Sequence, residues 1–230
     1  MKFGVVIFPG SNCDEDIIHV LSDVLDQKVE RLWHKSDDLK GSDFIILPGG
    51  FSYGDYLRSG AIARFSPIMK SVIEHCNKGG YAFGICNGFQ ILCEAELLPG
   101  TLLHNTDHKF ICKNTFITAE NNSLITQLIP ETSALKIPIA HGEGRYFNHP
   151  EALAQLNDND QVIFRYCDKN GIINPASNPN GSEENIAGVC NASKNVFGMM
   201  PHPERASESI LGNEDGKIIF ESLLSLEKVY

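Results

Sequence analysis

Residues 81–92 are YAFGICNGFQIL, an apolar run followed by a cysteine and then by apolar residues at helical spacing. The first five residues have the length and composition of a buried strand. Gly84 and Gly88 stand two positions on either side of Cys86, which is the Gly-x-nucleophile-x-Gly pattern of a sharp turn from a strand into a helix. Glycine at each flank avoids a collision of side chains in such a turn. The segment therefore predicts an α/β fold with Cys86 as a nucleophile at a helix N-terminus, where backbone N–H groups favour a thiolate.

Strand and helix patterns alternate through the first half of the chain around this segment. Short apolar runs of strand length are separated by apolar residues at helical spacing. Ser11 and the pair Ser66-Pro67 are predicted to cap the helices that follow them. The predicted strands are 3–8, 29–33, 44–47 and 81–85, and the predicted helical stretches are 17–25, 68–76 and 89–97. This order implies a mostly parallel, doubly wound sheet covered by helices on both faces.

The second half is richer in strand patterns than in helical ones. An antiparallel section added to the sheet is therefore expected, followed by a closing amphipathic helix at 216–226. Residues 174–182, rich in Asn, Pro and Gly, are predicted to form a surface loop. The predicted strands are 110–118, 134–140, 161–166, 185–190 and 196–200. No repeat or linker divides the chain, so residues 1–230 are predicted to form a single domain.

Composition argues against several functional classes. The chain has 230 residues, of which 42% are hydrophobic and 21% charged, so it can form a packed core. Its net charge of −10 repels the phosphate backbone of nucleic acids. The longest uncharged stretch, 79–93, is too short and too polar to span a membrane. The seven cysteines have no Cys-x-x-Cys spacing, which argues against a zinc site or a disulfide framework. The first residues do not resemble a signal peptide, so a cytoplasmic protein is expected.

A nucleophilic cysteine needs a base, and His202 is the best placed of the eight histidines. It follows a predicted strand, and Pro203 favours an extended backbone at the histidine. Glu204 can then lie on the same side and orient the imidazole, as the third member of a catalytic triad does. Alternatives remain open: the segment can be a solvated proline-rich turn, or the base can come from the pair His141 and Glu143. A metal site is a weaker interpretation, because His-x-Glu supplies only two ligands.

The loop after the third predicted strand is the candidate oxyanion site. It contains Gly49 and Gly50, and loops at the carboxyl ends of parallel strands line the ligand crevice of doubly wound sheets. Glycines let backbone N–H groups approach a small ligand closely. The phosphate-binding pattern Gly-x-x-x-x-Gly-Lys is absent from the sequence. A flexible surface turn is the alternative interpretation of this loop.

The segments at 84–90 and 201–204 resemble the motifs of the class I (triad) glutamine amidotransferase family. Segments at 48–63, 141–146 and 178–182 narrow the resemblance to the glutaminase subunits that serve purine biosynthesis. The resemblance covers nearly the whole chain and implies a flavodoxin-like α/β sheet. It also implies that Cys86 is the nucleophile, His202 the base and Glu204 the residue that orients this base.

Further roles follow from the same resemblance. The backbones of Gly50 and Asn87 would hold the oxyanion, and Gln90 would help to hold glutamine. His141 and Glu143 would face the amino-acid end of the substrate. The implied reaction converts L-glutamine to glutamate and ammonia, which passes to a large synthetase subunit that uses ATP and magnesium to aminate formylglycinamide ribonucleotide. A small accessory subunit completes the implied complex, and no cofactor, metal, nucleic acid or membrane is implied for this chain.

Two other functions fit the residues by themselves. One is a different cysteine hydrolase on a related fold, such as a γ-glutamyl peptidase. The other is a non-catalytic binding or chaperone-like module in which Cys86 senses the redox state. The amidotransferase function is favoured, because three motifs with complementary roles seldom occur together by chance.

Overall fold

The computed structural model describes residues 1–120, 123–130 and 133–225. The chain divides into two compact units: the first contains Met1–Leu98 and Asn195–Gly198, and the second contains Pro99–Lys194 and Met199–Tyr230. The predicted closing helix extends to Leu226, which lies outside the described residues. The helices and strands in chain order are β1 (Lys2–Ile7), α1 (Asp14–His19), β2 (Lys28–Trp33), β3 (Phe44–Leu47), α2 (Pro67–Asn77), β4 (Tyr81–Ile85), α3 (Asn87–Glu94), β5 (Thr101–Leu103), β6 (Ile111–Ala119), β7 (Leu135–His141), β8 (Arg145–Phe147), α4 (Pro150–Asp158), β9 (Val162–Cys167), β10 (Ile186–Cys190), β11 (Val196–Met199) and α5 (Lys217–Leu224).

The first unit is built on a parallel sheet. β1 pairs in parallel with both β2 and β3, and β3 pairs in parallel with β4. The strand order is β2-β1-β3-β4, with β11 next to β4. Because these paired strands run parallel, the segments that follow β1, β3 and β4 leave the sheet at the same edge. The mostly parallel sheet predicted for this half of the chain is confirmed.

Apolar strand and helix residues form the core of the first unit. All four residues of β3 are buried. On α2 the buried residues are Ile68, Met69, Val72 and Cys76, the apolar stripe that the helical spacing predicts. Full burial of one large aliphatic side chain stabilises the folded state by about 1.5–3 kcal/mol. Packing of this face, rather than a side-chain cap, therefore holds α2 in place.

The predicted cap at Ser11 is wrong, whereas Ser66 is the N-cap residue of α2 as predicted, with Pro67 in the first turn. α1 begins at Asp14, and the Ser11 hydroxyl donates a hydrogen bond to the carbonyl oxygen of Phe8 at 2.9 Å. Ser66 does precede α2, but it makes no side-chain cap, and its hydroxyl pairs with that of Tyr53 at 2.8 Å. In both cases a contact outside the helix takes the hydroxyl that the local sequence assigns to a helix end.

The second unit contains the antiparallel section. β6 pairs antiparallel with β7 and β9, and β9 pairs antiparallel with β10, which gives the order β10-β9-β6-β7. A separate antiparallel pair joins β5 to β8. The predicted antiparallel section is therefore confirmed. The sequence prediction missed β5, β8 and α4, a helix that buries Leu153 and Leu156.

The segment 174–182 is more buried than the predicted surface loop. Asn180 and Ser182 are only 2% and 3% exposed. The Asn180 amide donates to the carbonyl oxygen of Gly144 at 2.8 Å, and the Ser182 hydroxyl accepts from the backbone N–H of Tyr146 at 3.0 Å. The prediction is wrong at these two residues because their side chains serve as hydrogen-bond partners for the backbone around β8.

Candidate active site

The turn after β4 holds Cys86 in a strained conformation. Its φ and ψ angles are 51° and −105°, and it is the residue that directly precedes α3. A left-handed φ at a non-glycine residue costs on the order of 1–3 kcal/mol and persists only where the surrounding structure enforces it. This geometry matches the nucleophile elbow that the glycine pattern predicts.

Both glycines that flank the elbow are sterically required. A Cβ atom on Gly88 would overlap the carbonyl oxygen of Leu47 in β3. A Cβ atom on Gly84 would lie 2.5 Å from the carbonyl oxygen of Gly88. Because both contacts are with backbone atoms, neither is relieved by a change of rotamer. The glycines thus let β3, β4 and the first turn of α3 approach one another closely.

Cys86 lies directly before α3, at the end of the helix that presents its backbone N–H groups. The first N–H groups of a helix have no partners within the helix, and the helix dipole places partial positive charge at this end. Both features allow this helix end to receive an oxyanion. Cys86 is 5% exposed, so little water competes for these interactions.

Four other cysteines lie where burial disfavours the ionised thiol. Burial raises the pKa of the Cys76 thiol to about 12 and the pKa values of Cys167 and Cys190 to about 11. Burial also raises the pKa of Cys93, in the last turn of α3. These thiols stay protonated at neutral pH and are poor nucleophiles. Cys86 is therefore the best candidate for a reactive cysteine among these positions.

The side chain of Asn87 ties the elbow to the loop after β3. Its oxygen accepts a hydrogen bond from the backbone N–H of Ser52 at 3.0 Å. Its nitrogen donates to Asp55 at 3.0 Å and to the side-chain oxygen of Gln90 at 2.9 Å. Gln90 thus helps to orient Asn87, and its predicted contact with glutamine stays a prediction. Asp55 is a site residue that the sequence analysis missed, because its contact with Asn87 spans 32 positions of the chain.

Gly50 follows β3 at the same sheet edge as Cys86. Leu47 of β3 and Gly84 of β4 are paired neighbours, so the two loops that contain Gly50 and Cys86 leave adjacent strands. The φ angle of Gly50 is 133°, and a Cβ atom there would lie 2.6 Å from the backbone nitrogen of Asn12. Only glycine fits this close approach of two backbone segments. This close approach explains why the position is a glycine, and the oxyanion role of Gly50 stays a prediction.

His202 and Glu204 form a buried pair in the second unit. His202 Nδ1 lies 2.6 Å from Glu204 Oε1, and both residues are only 2% exposed. The backbone N–H of His202 donates to the carbonyl oxygen of Pro138 in β7 at 2.8 Å, which fixes the segment. A carboxylate at Nδ1 holds the proton on that nitrogen and leaves Nε2 as the proton acceptor. The predicted contact between His202 and Glu204 is therefore present.

His141 and Glu143, the alternative pair, contact other residues. His141 Nδ1 lies 3.0 Å from the side-chain oxygen of Asn105, which also accepts from the backbone N–H of Gly144. Burial, reinforced by the nearby His202, lowers the pKa of His141 to about 4, so the imidazole is neutral at neutral pH. Glu143 Oε1 lies 3.6 Å from His104 Nδ1.

The structure thus distributes the eight predicted site residues between the two units. Gly50, Cys86, Asn87 and Gln90 belong to the first unit, and His141, Glu143, His202 and Glu204 belong to the second. Asn105 is a second residue that the sequence analysis missed. Its amide donates to the carbonyl oxygens of Lys109 and His141. No local sequence motif predicts these contacts.

Comparisons with known proteins identify the family. Residues 1–217 match the CobB/CobQ-like glutamine amidotransferase domain. The chain is 53% identical over 225 residues to phosphoribosylformylglycinamidine synthase subunit PurQ of Salinibacter ruber, covering 97% of this chain and 96% of that protein. It is 56% identical over 224 residues to the subunit of the same name from Chlorobium luteolum, covering 97% of each.

Solved structures agree with this assignment. A chain in the structure of PurLQS from Thermotoga maritima is 42% identical, with a TM-score of 0.85 and 98% of each chain covered. A glutamine amidotransferase from the same organism is 15% identical, with a TM-score of 0.57, and shows the fold alone; the match covers 100% of this chain and 86% of that one. The α/β fold and the amidotransferase resemblance are confirmed. The chain therefore belongs to the CobB/CobQ-like glutamine amidotransferases and, among them, to the PurQ subunits of phosphoribosylformylglycinamidine synthase.

Proposed function

We propose that the chain acts as the glutaminase subunit of phosphoribosylformylglycinamidine synthase, with Cys86 as nucleophile, His202 as base and Glu204 as the residue that orients His202. The observation that carries these roles is the strained Cys86 between two glycines at the N-terminus of α3. The buried contact of 2.6 Å between His202 and Glu204 supports the assignment of the base.

The reaction has two halves. His202 takes the proton of the Cys86 thiol as the sulfur attacks the side-chain amide carbon of L-glutamine, and backbone N–H groups of Gly50 and Asn87 stabilise the oxyanion that forms. His202 gives a proton to the departing nitrogen, so that ammonia leaves and a glutamyl thioester remains. His202 then takes a proton from water, which attacks the thioester and releases glutamate and the free thiol. The sum is glutamine plus water to glutamate plus ammonia.

The ammonia requires a partner. Free ammonia in water at neutral pH becomes ammonium, which is not a nucleophile, so a sheltered route to the next reaction is needed. The names of the relatives place PurQ in a synthase with other subunits, and one solved relative is part of PurLQS. The proposed acceptor is a large synthetase subunit that uses ATP and magnesium to convert formylglycinamide ribonucleotide to formylglycinamidine ribonucleotide, together with a small accessory subunit.

The compartment proposed for this reaction is the cytoplasm. All seven cysteines lie in the described part of the chain and none forms a disulfide there, as expected of a protein in a reducing compartment. Of the helices in the described ranges, none is long and apolar enough to cross a membrane.

The test of the catalytic assignment is Cys86→Ala in the complex with purified synthetase subunits. Glutamine-dependent synthesis is expected to disappear, while synthesis from added ammonium salts continues, because the synthetase chemistry is left intact. Cys93→Ala, seven positions along in α3, is the control and should keep glutamine-dependent synthesis. Glutamine-dependent synthesis by Cys86→Ala at the parent rate would show that another group attacks glutamine.

A further inference from the structure

One segment of the first unit exposes an unusual number of large apolar side chains. Between residues 51 and 65, five such side chains are exposed, and we call this segment the 51–65 surface. Leu57 is 87% exposed and Phe65 is 77% exposed. The five residues are Phe51, Tyr56, Leu57, Ile62 and Phe65. Single exposed apolar residues are ordinary, but a concentration of them marks an interaction site.

The backbone beneath these side chains is held in place. The Tyr53 hydroxyl contacts His34 Nδ1 at 2.5 Å and the Ser66 hydroxyl at 2.8 Å. The Arg58 guanidinium donates two hydrogen bonds of 2.6 Å to the carboxylate of Glu94 in α3. A segment anchored in this way presents its apolar side chains in a fixed arrangement. Such preorganisation lowers the entropic cost of binding another protein.

The same segment is attached to the nucleophile elbow. The Ser52 N–H and the Asp55 carboxylate both bond to the side chain of Asn87, the residue after the nucleophile. Gly60 lies so close to α3 that a Cβ atom on it would be 2.8 Å from the backbone nitrogen of Ile91. A protein that binds the 51–65 surface therefore contacts the segment that supports the elbow.

Charge distinguishes a different protein from a second copy of this chain. The 51–65 surface contains Arg58, Arg64 and Asp55, and Arg58 pairs with Glu94, in a chain of net charge −10. Arg64 lies over the ring of Phe65, 4.8 Å from its centre. A symmetric contact between two copies through Phe65 would bring their Arg64 side chains together, whereas a partner with an acidic residue beside an apolar pocket complements Arg64 and Phe65.

We propose that the 51–65 surface is the docking surface for the ATP-using synthetase subunit, an inference that rests on the proposed function. Handing ammonia to that subunit requires it to bind close to the elbow, and this surface combines exposed apolar anchors with direct bonds to Asn87. Docking here also gives the synthetase a physical route to influence glutamine hydrolysis, through Ser52 and Asp55.

The test titrates purified synthetase subunit into a fixed amount of this chain and measures glutamine-dependent synthesis. Leu57→Asp and Phe65→Ser are expected to raise the half-saturating synthetase concentration at least tenfold, because large anchors in an interface carry much of its binding energy. Leu57 has a φ of 77°, which aspartate tolerates better than leucine, so the first variant should fold. Phe65→Ser provides a second, independent change.

Ile210→Asp is the matched control, since Ile210 in the second unit is also 87% exposed. It should leave the half-saturating concentration within twofold of the parent value. Parent-like values for both test variants, or an equal loss in Ile210→Asp, would overturn the proposal. A parent chain that is dimeric by light scattering and becomes monomeric in Leu57→Asp, with unchanged half-saturation, would assign the surface to a second copy instead.

Cys86→Ala separates this proposal from the catalytic one. It should bind the synthetase with parent affinity, measured by calorimetry, while it lacks glutamine-dependent synthesis. If the catalytic assignment fails, Cys86→Ala remains active. If only the docking assignment fails, Cys86→Ala is inactive and Leu57→Asp still binds with the affinity of the parent.

Discussion

The strain at Cys86 shows how a single residue links the fold to its chemistry. A residue with φ near 51° is held there by its neighbours, since L-amino acids avoid this region. The surroundings of Gly84 and Gly88 show how tightly the turn is packed, because a Cβ atom on either glycine would collide with a backbone carbonyl oxygen. The strained turn places Cys86 directly before α3, the position from which we propose that its sulfur attacks glutamine.

In the proposed mechanism, Glu204 acts on the reaction through His202, which it contacts at 2.6 Å, rather than through the substrate. Glu204→Gln is expected to lower kcat for glutamine hydrolysis by at least about tenfold, because the neutral amide stabilises the imidazolium less and does not fix the Nδ1 proton. The KM for glutamine should change little. Steady-state kinetics at several glutamine concentrations measure both quantities. A parent-like kcat, in a variant shown to be folded by circular dichroism, would remove Glu204 from the catalytic assignment.

His141 makes the stability of the protein depend on pH. Its pKa of about 4 in the folded state lies below the usual value of 6.5, so the unfolded chain takes up a proton that the folded chain does not. The neutral His141 side chain thereby contributes to the free energy of unfolding. This contribution, on the order of 3 kcal/mol, is fully present above pH 6.5 and is lost as the pH falls toward 4. Acidification over this range therefore destabilises the protein.

His141→Gln should flatten this dependence. Urea unfolding between pH 4.5 and 7.5 is expected to show a smaller loss of unfolding free energy on acidification than in the parent. Burial also lowers the pKa values of His34 and His75, so part of the pH dependence remains in the variant. An unchanged slope, whatever the change in stability at pH 7.5, would contradict the role of His141.

At the scale of elements, the sequence predicts what local patterns encode. β3 and β4 coincide with their predicted ranges, because a continuous apolar run is itself the signal of a buried parallel strand. β5 and β8 escaped prediction because each has only three residues and forms through pairing with the other, some 40 positions away. α4 did have a local signal, a proline in its first turn followed by buried Leu153 and Leu156.

The candidate site likewise contains residues that local patterns predict and residues that they do not. Cys86 and the pair His202 and Glu204 lie in short motifs, so residue spacing is enough to find them. Asp55 and Asn105 act through contacts with residues more than 30 positions away, and no spacing rule reaches that far. The predicted surface loop at 174–182 failed for the same reason, since its polar side chains are buried against a distant backbone.

The packing of α3 against β3 gives a prediction for the element scale. Gly88→Ala is expected to lower the unfolding free energy by about 1–3 kcal/mol, because the added methyl group meets the carbonyl oxygen of Leu47. Gly142→Ala is the matched control, since the nearest atom to a Cβ atom there is 3.8 Å away. Denaturant unfolding measures the free energy of unfolding of both variants and of the parent chain. Equal stability of the two would mean that the elbow has room for a side chain.

At the scale of the whole molecule, burial determines which cysteine side chains can react. Six of the seven cysteines are buried, and Cys112 is exposed. Burial raises the pKa of four of the buried thiols, so the folded protein protects them both sterically and by keeping them protonated. Packing, rather than pairing in disulfides, therefore shields these thiols.

A disulfide-exchange reagent at pH 8 is expected to modify Cys112 quickly in the folded protein. Cys76, Cys93, Cys167 and Cys190 should react only on the timescale of unfolding, because the reagent needs an accessible thiolate. Cys112→Ser should remove one equivalent from the fast phase, while unfolding in denaturant exposes all remaining thiols. Fast modification of these four buried cysteines, located by mass spectrometry of peptides, would contradict the packing described for them and weaken the argument that singles out Cys86.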